Sequence, residues 1–407
     1  QIELPADIRA VWDVQIERLL IDRPDLDGLA IEVAAVLGMT IDPREWQAVC
    51  AELDIPVSDD LVDALVRRRL FSASDPSGRR RFAHGLLREC LEQRAAETER
   101  LPAIHAACAQ ILPTLEVAGN LARAGRHALA AGLSDVAVGL LQEAAMEAGV
   151  RGDYPEAMAL SELALANVGA TVRRQTAQLL TYQARVKSLT GRLAEARAVA
   201  SRALELADRH NWVQERVGAL LRLAVVHNIL REPDPALALC KRALGYVDVD
   251  TSIREQIDLY SSKAIAHLQK GEIPLAEQCV RDASALSVNS ETRLGLSTCL
   301  TVIAHSLLRR GNLDGAEEAF EEALTLCRTR GRRLGQAINI AGLADAWVER
   351  RQFERALAGY RSAFAETHAI GSAAQHLLRT NIGTVLSLLN MHTEARDELE
   401  TAWIAVH

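Results

Sequence analysis

The sequence predicts an all-α protein: a right-handed α-solenoid of helix pairs, each about 40 residues long, behind a smaller N-terminal domain. Three columns of small residues carry that prediction. Alanine recurs at Ala157, Ala196, Ala236, Ala276, Ala316, Ala356 and Ala395, in steps of 39 or 40. Seven residues after each stands another: Ala164, Ala203, Ala243, Ala283, Ala323, Ala363 and Ala402. Twelve before the last six stand Ala184, Ala224, Ala264, Ala304, Ala344 and Gly383. A fixed period of this length marks stacked supersecondary units, each unable to bury its apolar face alone.

Residues 1–105 lie outside the repeat. Ile8 to Leu20 is amphipathic behind Pro5-Ala-Asp, which suits a helix start. Leu29 to Leu37 is a strongly apolar helix closed by Gly38. Asp42-Pro43 caps the next helix, which carries Trp46 and Val49, and Ser58-Asp-Asp opens another running to Arg69. Leu70-Phe71 and Arg80 to Phe82 are expected as short strands around the turn Asp75-Pro-Ser-Gly78. Gly85 to Arg94 returns to helix. Three helices, a two-stranded wing and a further helix make the stretch winged-helix-like. The triplets Arg67 to Arg69 and Arg79 to Arg81 flank the wing, so a DNA-reading wing stands as an alternative to a solvated, charged hairpin.

Residues 106–170 hold junction helices and the first repeat. Gly132, Ala137 and Ala144 already follow the array's spacing, half a repeat ahead of Gly152, Ala157 and Ala164. His105 and His127 sit on alanine-rich helices and read as packed helix residues rather than ligands. Residues 171–407 hold six repeats. First helices are expected near 171–190, 212–230, 251–270, 291–310, 333–350 and 372–389. Second helices are expected near 193–208, 233–246, 273–287, 313–329, 353–368 and 393–405. Five residues before the anchor alanine the chain often has glycine (Gly152, Gly191, Gly271, Gly311), where a left-handed backbone ends the first helix at little cost. Arg231, Arg351 and Asn390 are the exceptions.

The three small columns resemble the eighth, twentieth and twenty-seventh positions of the tetratricopeptide repeat, a unit of about 34 residues. The column nine before the anchor, where that family favours tyrosine, reads Lys187, His227, His267, Leu307, Trp347 and Leu386. His227 and His267 in this column read as stacked core histidines rather than a metal bridge.

Composition narrows the function. The net charge of −8 argues against bulk nucleic-acid affinity, and no apolar run reaches the length of a membrane span. The seven cysteines are scattered with no CxxC pair, which fits reduced, buried thiols in a cytoplasmic protein. No GxxxxGK[ST], HExxH, GxSxG or GxGxxG occurs, so the chain is not expected to be an enzyme and holds no metal or cofactor by itself. The opening at Gln1, without Met, reads as the start of a fragment.

A second resemblance covers roughly residues 1–150. Ala34-Ala-Val-Leu-Gly38, Leu61-Val-Asp-Ala-Leu-Val-Arg-Arg-Arg-Leu70 and Phe82-Ala-His-Gly-Leu-Leu-Arg-Glu89 are similar to the winged-helix domain of signal-transduction ATPases with numerous domains. That class includes MalT-like bacterial regulators, kinase-linked bacterial ATPases and plant resistance proteins. The resemblance implies that His84 contacts the β-phosphate of bound ADP. It implies an ATPase module upstream, joined near Leu4-Pro-Ala-Asp-Ile-Arg, that uses ADP or ATP with Mg. It also implies a repeat arm that senses an inducer, and oligomerisation when the switch opens. Ala83 and Gly85 replace flanking residues of the plant version of the motif.

In the repeat family the first helices line the concave face. Counted from the anchors, that face holds Gln178, Thr181 and Arg185, then Asn228, Ser261 and Ile265, then Thr301, His305 and Arg309. Asp345, Glu349, Thr380, Thr384 and Ser387 complete it. A protein, a peptide or a small-molecule inducer suits such a surface. The clamp of Lys and Asn that recognises an acidic chaperone terminus is absent. Arg328, Arg330, Arg332 and Arg333 form a basic cluster at a loop between repeats. Two further readings stand beside the sensor: a passive interaction scaffold, and a DNA-binding regulator acting through the wing.

Overall fold

The structure, a computed structural model, describes residues 6–21, 23–72, 75–169, 174–247, 251–286, 293–329 and 331–404. The expected helix ends at 171, 287, 291 and 405, together with Arg330 and the opening at 1–5, lie outside them. The chain divides into two compact units: residues 1–144 with 166–169, and residues 145–165 with 170–407.

In the first unit α1 (Ala6–Leu20) and α2 (Asp25–Leu37) are followed by β1 (Thr40–Ile41), α3 (Pro43–Glu52) and α4 (Asp59–Arg67). Then come β2 (Arg80–Arg81), α5 (Gly85–Glu97), α6 (Leu101–Ile111) and α7 (Asn120–Ala130). Helix α2 is apolar along most of its length and is buried accordingly, with Ala30, Val33, Ala34 and Ala35 fully enclosed. The indole N–H of Trp46 donates to the Ala30 carbonyl at 2.7 Å, which satisfies a buried donor. Asp42 and Ser58 cap α3 and α4, accepting from the amides of Arg44 and Leu61. The hairpin expected between 70–71 and 80–82 forms through a bridge of Phe71 to Phe82. Thr40 and Ile41 add a strand that pairs antiparallel with Arg81 and Arg80. Two residues give no alternation to read, so the sequence does not announce this strand. Glu32 carries a buried charge that is answered: it accepts from Arg100 at 2.7 and 3.0 Å and lies 3.3 Å from Arg94.

Helices α8 (Ser134–Arg151) and α9 (Tyr154–Asn167) are divided between the units. The second unit then alternates without interruption: α10 (Arg174–Leu189), α11 (Leu193–Arg209), α12 (Val213–Ile229), α13 (Pro233–Leu244), α14 (Ile253–Gln269) and α15 (Ile273–Ala285). It continues with α16 (Arg293–Arg309), α17 (Leu313–Thr329), α18 (Arg333–Glu349), α19 (Phe353–Ala369), α20 (Ala374–Leu388) and α21 (His392–Ile404). The anchor alanines from Ala157 to Ala356 are completely buried, as are their partners from Ala164 to Ala363. A methyl group at these crossings lets the backbones approach, and a larger side chain overpacks them by about 1–3 kcal/mol.

The turn inside each repeat has one geometry. Gly152, Gly191, Gly271 and Gly311 all have positive φ, and so do Arg231 (61°), Arg351 (58°) and Asn390 (61°) at the same column. The next amide bonds back to the column nine before the anchor: Arg192 to Lys187, Glu232 to His227, Glu272 to His267, Asn312 to Leu307, Gln352 to Trp347 and Met391 to Leu386, at 2.8–3.0 Å. This is the Schellman closure of a helix C-terminus. The exceptions to the glycine column adopt the glycine conformation, at a cost the glycines avoid.

Candidate functional site

The second unit meets itself. The turn between α19 and α20 packs on the first helices of the array. The amide of Ala373 donates to the Leu189 carbonyl at 3.1 Å. The Ser372 hydroxyl reaches the same oxygen at 3.4 Å, across 183 residues of chain. Ile370 is buried in one cluster with Ala148, Tyr154, Ala157 and Val186, and Leu334 packs against it. At two turns only glycine leaves the room this seam needs. A Cβ on Gly152 would lie 2.7 Å from Ile370, and one on Gly191 would lie 2.8 Å from Ala373. Both glycines also have positive φ. The superhelix thereby closes a ring of helices around an interior.

Charged side chains of the first helices face that interior. Arg185 of α10 and Arg222 of α12 keep only partial exposure, and protein surrounds both guanidinium groups on nearly every side. Burial pulls the pKa of Arg222 down to about 10 and that of Arg185 below the usual arginine range. Asp258, Glu255, Arg254 and Arg332 share this environment. Burial likewise holds the Glu255 carboxyl above the usual range, against the Ser252 hydroxyl that favours its charge. Glu215 accepts from Gln178 at 3.0 Å and leaves its second oxygen buried without a partner. Tyr182, pushed up to about 12 by burial, donates to the Ala145 carbonyl, and Tyr154 is raised by the same cause.

The expected groove residues divide in two. Asn228 and Ser261 are buried in packing between neighbouring first helices. Asn228 donates to the Ser262 carbonyl and hydroxyl at 2.9 Å, and Ser261 meets the Cys299 thiol at 3.4 Å. The next first helix covers each of them, α14 over Asn228 and α16 over Ser261. Thr181, Thr380 and Thr384 bond to carbonyls of their own helices. Thr301 donates to Asn339 at 2.9 Å, His305 bonds the Thr301 carbonyl, and Arg309 donates to the Leu268 carbonyl at 2.6 Å. Asp345 accepts from the Tyr360 hydroxyl, and burial pushes its carboxyl up. Of the expected residues, Gln178 and Arg185 join the enclosed charged group. Arg222, Asp258 and Glu255 were missed. The signal available was α12 itself, where Arg222 interrupts a run buried on both sides by Leu221 and Leu223.

His227 and His267 do not stack. Each bonds a glutamate across its own turn, Glu232 at 2.6 Å and Glu272 at 2.7 Å, because the Schellman closure brings those positions together. In the basic cluster Arg332 donates to the Ser297 hydroxyl and Arg333 to Glu366.

In the first unit His84 is exposed at the N-terminus of α5. It makes no hydrogen bond to the described residues, and its ring lies 5.0 Å from that of Trp12. Val11, next to Trp12 in the chain, and Leu86 on α5 are both exposed. His105 and His127 are in contact, their Nδ1 atoms 2.8 Å apart. Among the described residues no group of three or more His, Cys, Asp or Glu is placed to hold a metal. No described helix is long and apolar enough to cross a membrane.

The family profile of the tetratricopeptide repeat matches residues 296–329. A search of curated protein sequences finds no match. Among solved structures, a signal transduction ATPase with numerous domains from Pyrococcus horikoshii, with a tetratricopeptide repeat sensor, is similar at TM-score 0.64 and 13% identity. The likeness covers 97% of this chain and 59% of that one, so the chain spans less than two thirds of that protein's length. The Rap conjugation gene regulator of plasmid pLS20, in complex with the Phr* peptide, is similar at TM-score 0.53 and 14% identity, over 76% of this chain and 89% of that one. At these identities the likeness is one of fold: the chain is a tetratricopeptide-type helical repeat protein.

Proposed function

We propose that the chain is the regulatory portion of a nucleotide-switch signalling protein. Its repeat unit senses a ligand, and its N-terminal unit is a winged helix that relays the ligand's presence. The observation that carries this reading is the closed ring of helices around Arg185 and Arg222, which make no hydrogen bond or ion pair with a described residue. A passive scaffold has no use for such an interior, whereas a sensor needs a place where binding changes the balance between two states. In this reading His84 donates to the β-phosphate of ADP held by an upstream ATPase module. An exposed imidazole beside the free amides of a helix N-terminus suits that task. Such a charge-assisted bond is worth about 1.5–3 kcal/mol, enough to bias a switch. Nucleotide and magnesium would be bound by that module, and the opened form would self-associate.

The DNA-reading alternative has less support. Arg67 lies 3.5 Å from Asp60, and Arg79 lies 3.9 Å from Asp42, so part of the wing's charge is already answered. The test uses the intact protein, purified and denatured, with released adenine nucleotide measured by ion-exchange chromatography. His84→Ala is expected to lower retained ADP and raise basal activity. Unchanged retention and activity would remove the switch role.

A further inference from the structure

We propose that the interior of the repeat ring binds a small ligand through an oxyanion, a carboxylate or a phosphate, held between Arg185 and Arg222. The inference rests on the sensor reading and names the chemistry of its site.

Buried Arg216 is satisfied by Asp208 and Asn211, and the half-buried Arg123 and Arg100 by Glu45 and Glu32. Arg185 and Arg222 are enclosed as well, yet neither makes a hydrogen bond or an ion pair with any described residue. Surrounding a guanidinium with protein while leaving it unpaired is costly, and sequences rarely keep such an arrangement without a use. The depressed pKa of both groups reports the same unrelieved burial.

Charge and shape decide what relieves it. Arg185, Arg222, Arg254 and Arg332 act on one another together with Asp258, Glu255 and Glu215. Four arginines face three carboxylates in this group, so the cationic side prevails. The guanidinium fork bonds carboxylate and phosphate oxygens in pairs, so two arginines on successive first helices suit a single oxyanion. The seam, closed by the bond from Ala373 to Leu189, favours a compact molecule over an extended chain. Binding there also ties α10 to α12 and gives the ring a way to register occupancy.

The test titrates the whole chain with sodium phosphate and with citrate against chloride at matched ionic strength, followed by melting temperature and calorimetry. A saturable rise in melting temperature with either anion is expected, and the more effective one assigns phosphate or carboxylate. Arg222→Gln and Arg185→Gln should each weaken the response at least tenfold, Arg222→Lys less so, and exposed Arg197→Gln not at all. Without anion, Arg222→Gln should melt at or above the parent temperature, because it removes an unpaired charge. An Arg222 with a structural role would give a lower temperature instead, and that result overturns the proposal. So does the absence of any saturable response, or a response unchanged in both glutamine variants. ADP retention by the intact protein is read in parallel. Anion binding without effect on retention keeps the site and removes the sensor reading. No anion binding removes the site, whatever retention does.

Discussion

Replacing Ile370 by alanine should open the ring without unfolding the repeats. Ile370 is 4% exposed and packs on Tyr154, Ala157 and Val186, which belong to the start of the array. Truncating a buried isoleucine costs about 2–5 kcal/mol, and a site that can relax by parting falls toward the low end, about 2–3 kcal/mol. Repeat arrays are held by nearest-neighbour interfaces, so this loss falls on the seam alone. The reporter is the Ala373 amide, which bonds across the seam to Leu189. A loss of about 2–3 kcal/mol in seam closure speeds its exchange by about 30- to 150-fold. Hydrogen exchange with residue resolution reads this directly. Leu259→Ala is the control, a fully buried residue in the packing of α12 and α14. It should lower stability to denaturant without exposing Ala373 selectively. If Ile370→Ala instead leaves the Ala373 amide as protected as in the parent, or both variants behave alike, the seam is not a separate closure.

Burial lowers the pKa of His105, and that of His127 from 6.5 to about 4, with the nearby charges of His105 and Arg123 adding to the effect on His127. A depressed histidine favours the folded state above its unfolded pKa, so stability falls as the pH drops from 6.5 toward 4. The full loss for His127 is about 3 kcal/mol, and His127→Gln should flatten denaturation midpoints measured between pH 7 and 4.5. Arg351→Gly relieves a left-handed arginine but loosens the unfolded chain, so denaturant titration should show a gain of about 0.5 kcal/mol. Gly342→Ala places a methyl 2.3 Å from the Phe320 ring, which is fully buried, and should cost about 1–3 kcal/mol in the same assay. Arg100→Ala leaves buried Glu32 only the longer contact to Arg94 and should lower the stability of the first unit by about 3 kcal/mol.

The repeat was legible because its requirements are local. A methyl at Ala236 or Ala276 is what a close helix crossing demands, and a glycine at Gly191 or Gly311 is what a left-handed turn demands. Such demands recur with the unit. Arg231 and Arg351 break the glycine column without hiding its turns, which the period places; tertiary packing holds arginine there in a conformation that its own preference opposes. The hairpin was half legible: Asp75 announces its turn, accepting from the amides of Ser77 and Arg79, whereas Thr40 and Ile41 carry no pattern of their own. The seam was not legible. Ile370 and Gly152 come from opposite ends of the array, and nothing periodic links them. The interior charges depend on that closure, so no column of the repeat marks Arg222 or Asp258. Asn228 and Ser261 are buried for a simpler reason. Counting from the anchor fixes a residue's angle around its helix, but not how closely the next helix covers it.

The array closes on itself, and the enclosed arginines depend on that closure. Spin labels on cysteines introduced at Arg192 and Leu377, both exposed, measure this by electron–electron dipolar spectroscopy, and the native cysteines, all buried, stay unlabelled. The labelled positions lie close in sequence to Leu189 and Ala373, so a closed ring places their Cα atoms within about 30 Å. An array that never meets itself stacks helices α11 to α19 between the labels and separates them by more than about 45 Å. A distribution centred within the closed-ring distance is the predicted result. One centred at the open-array distance, with no shorter population, would contradict the closed ring and the enclosed site built on it.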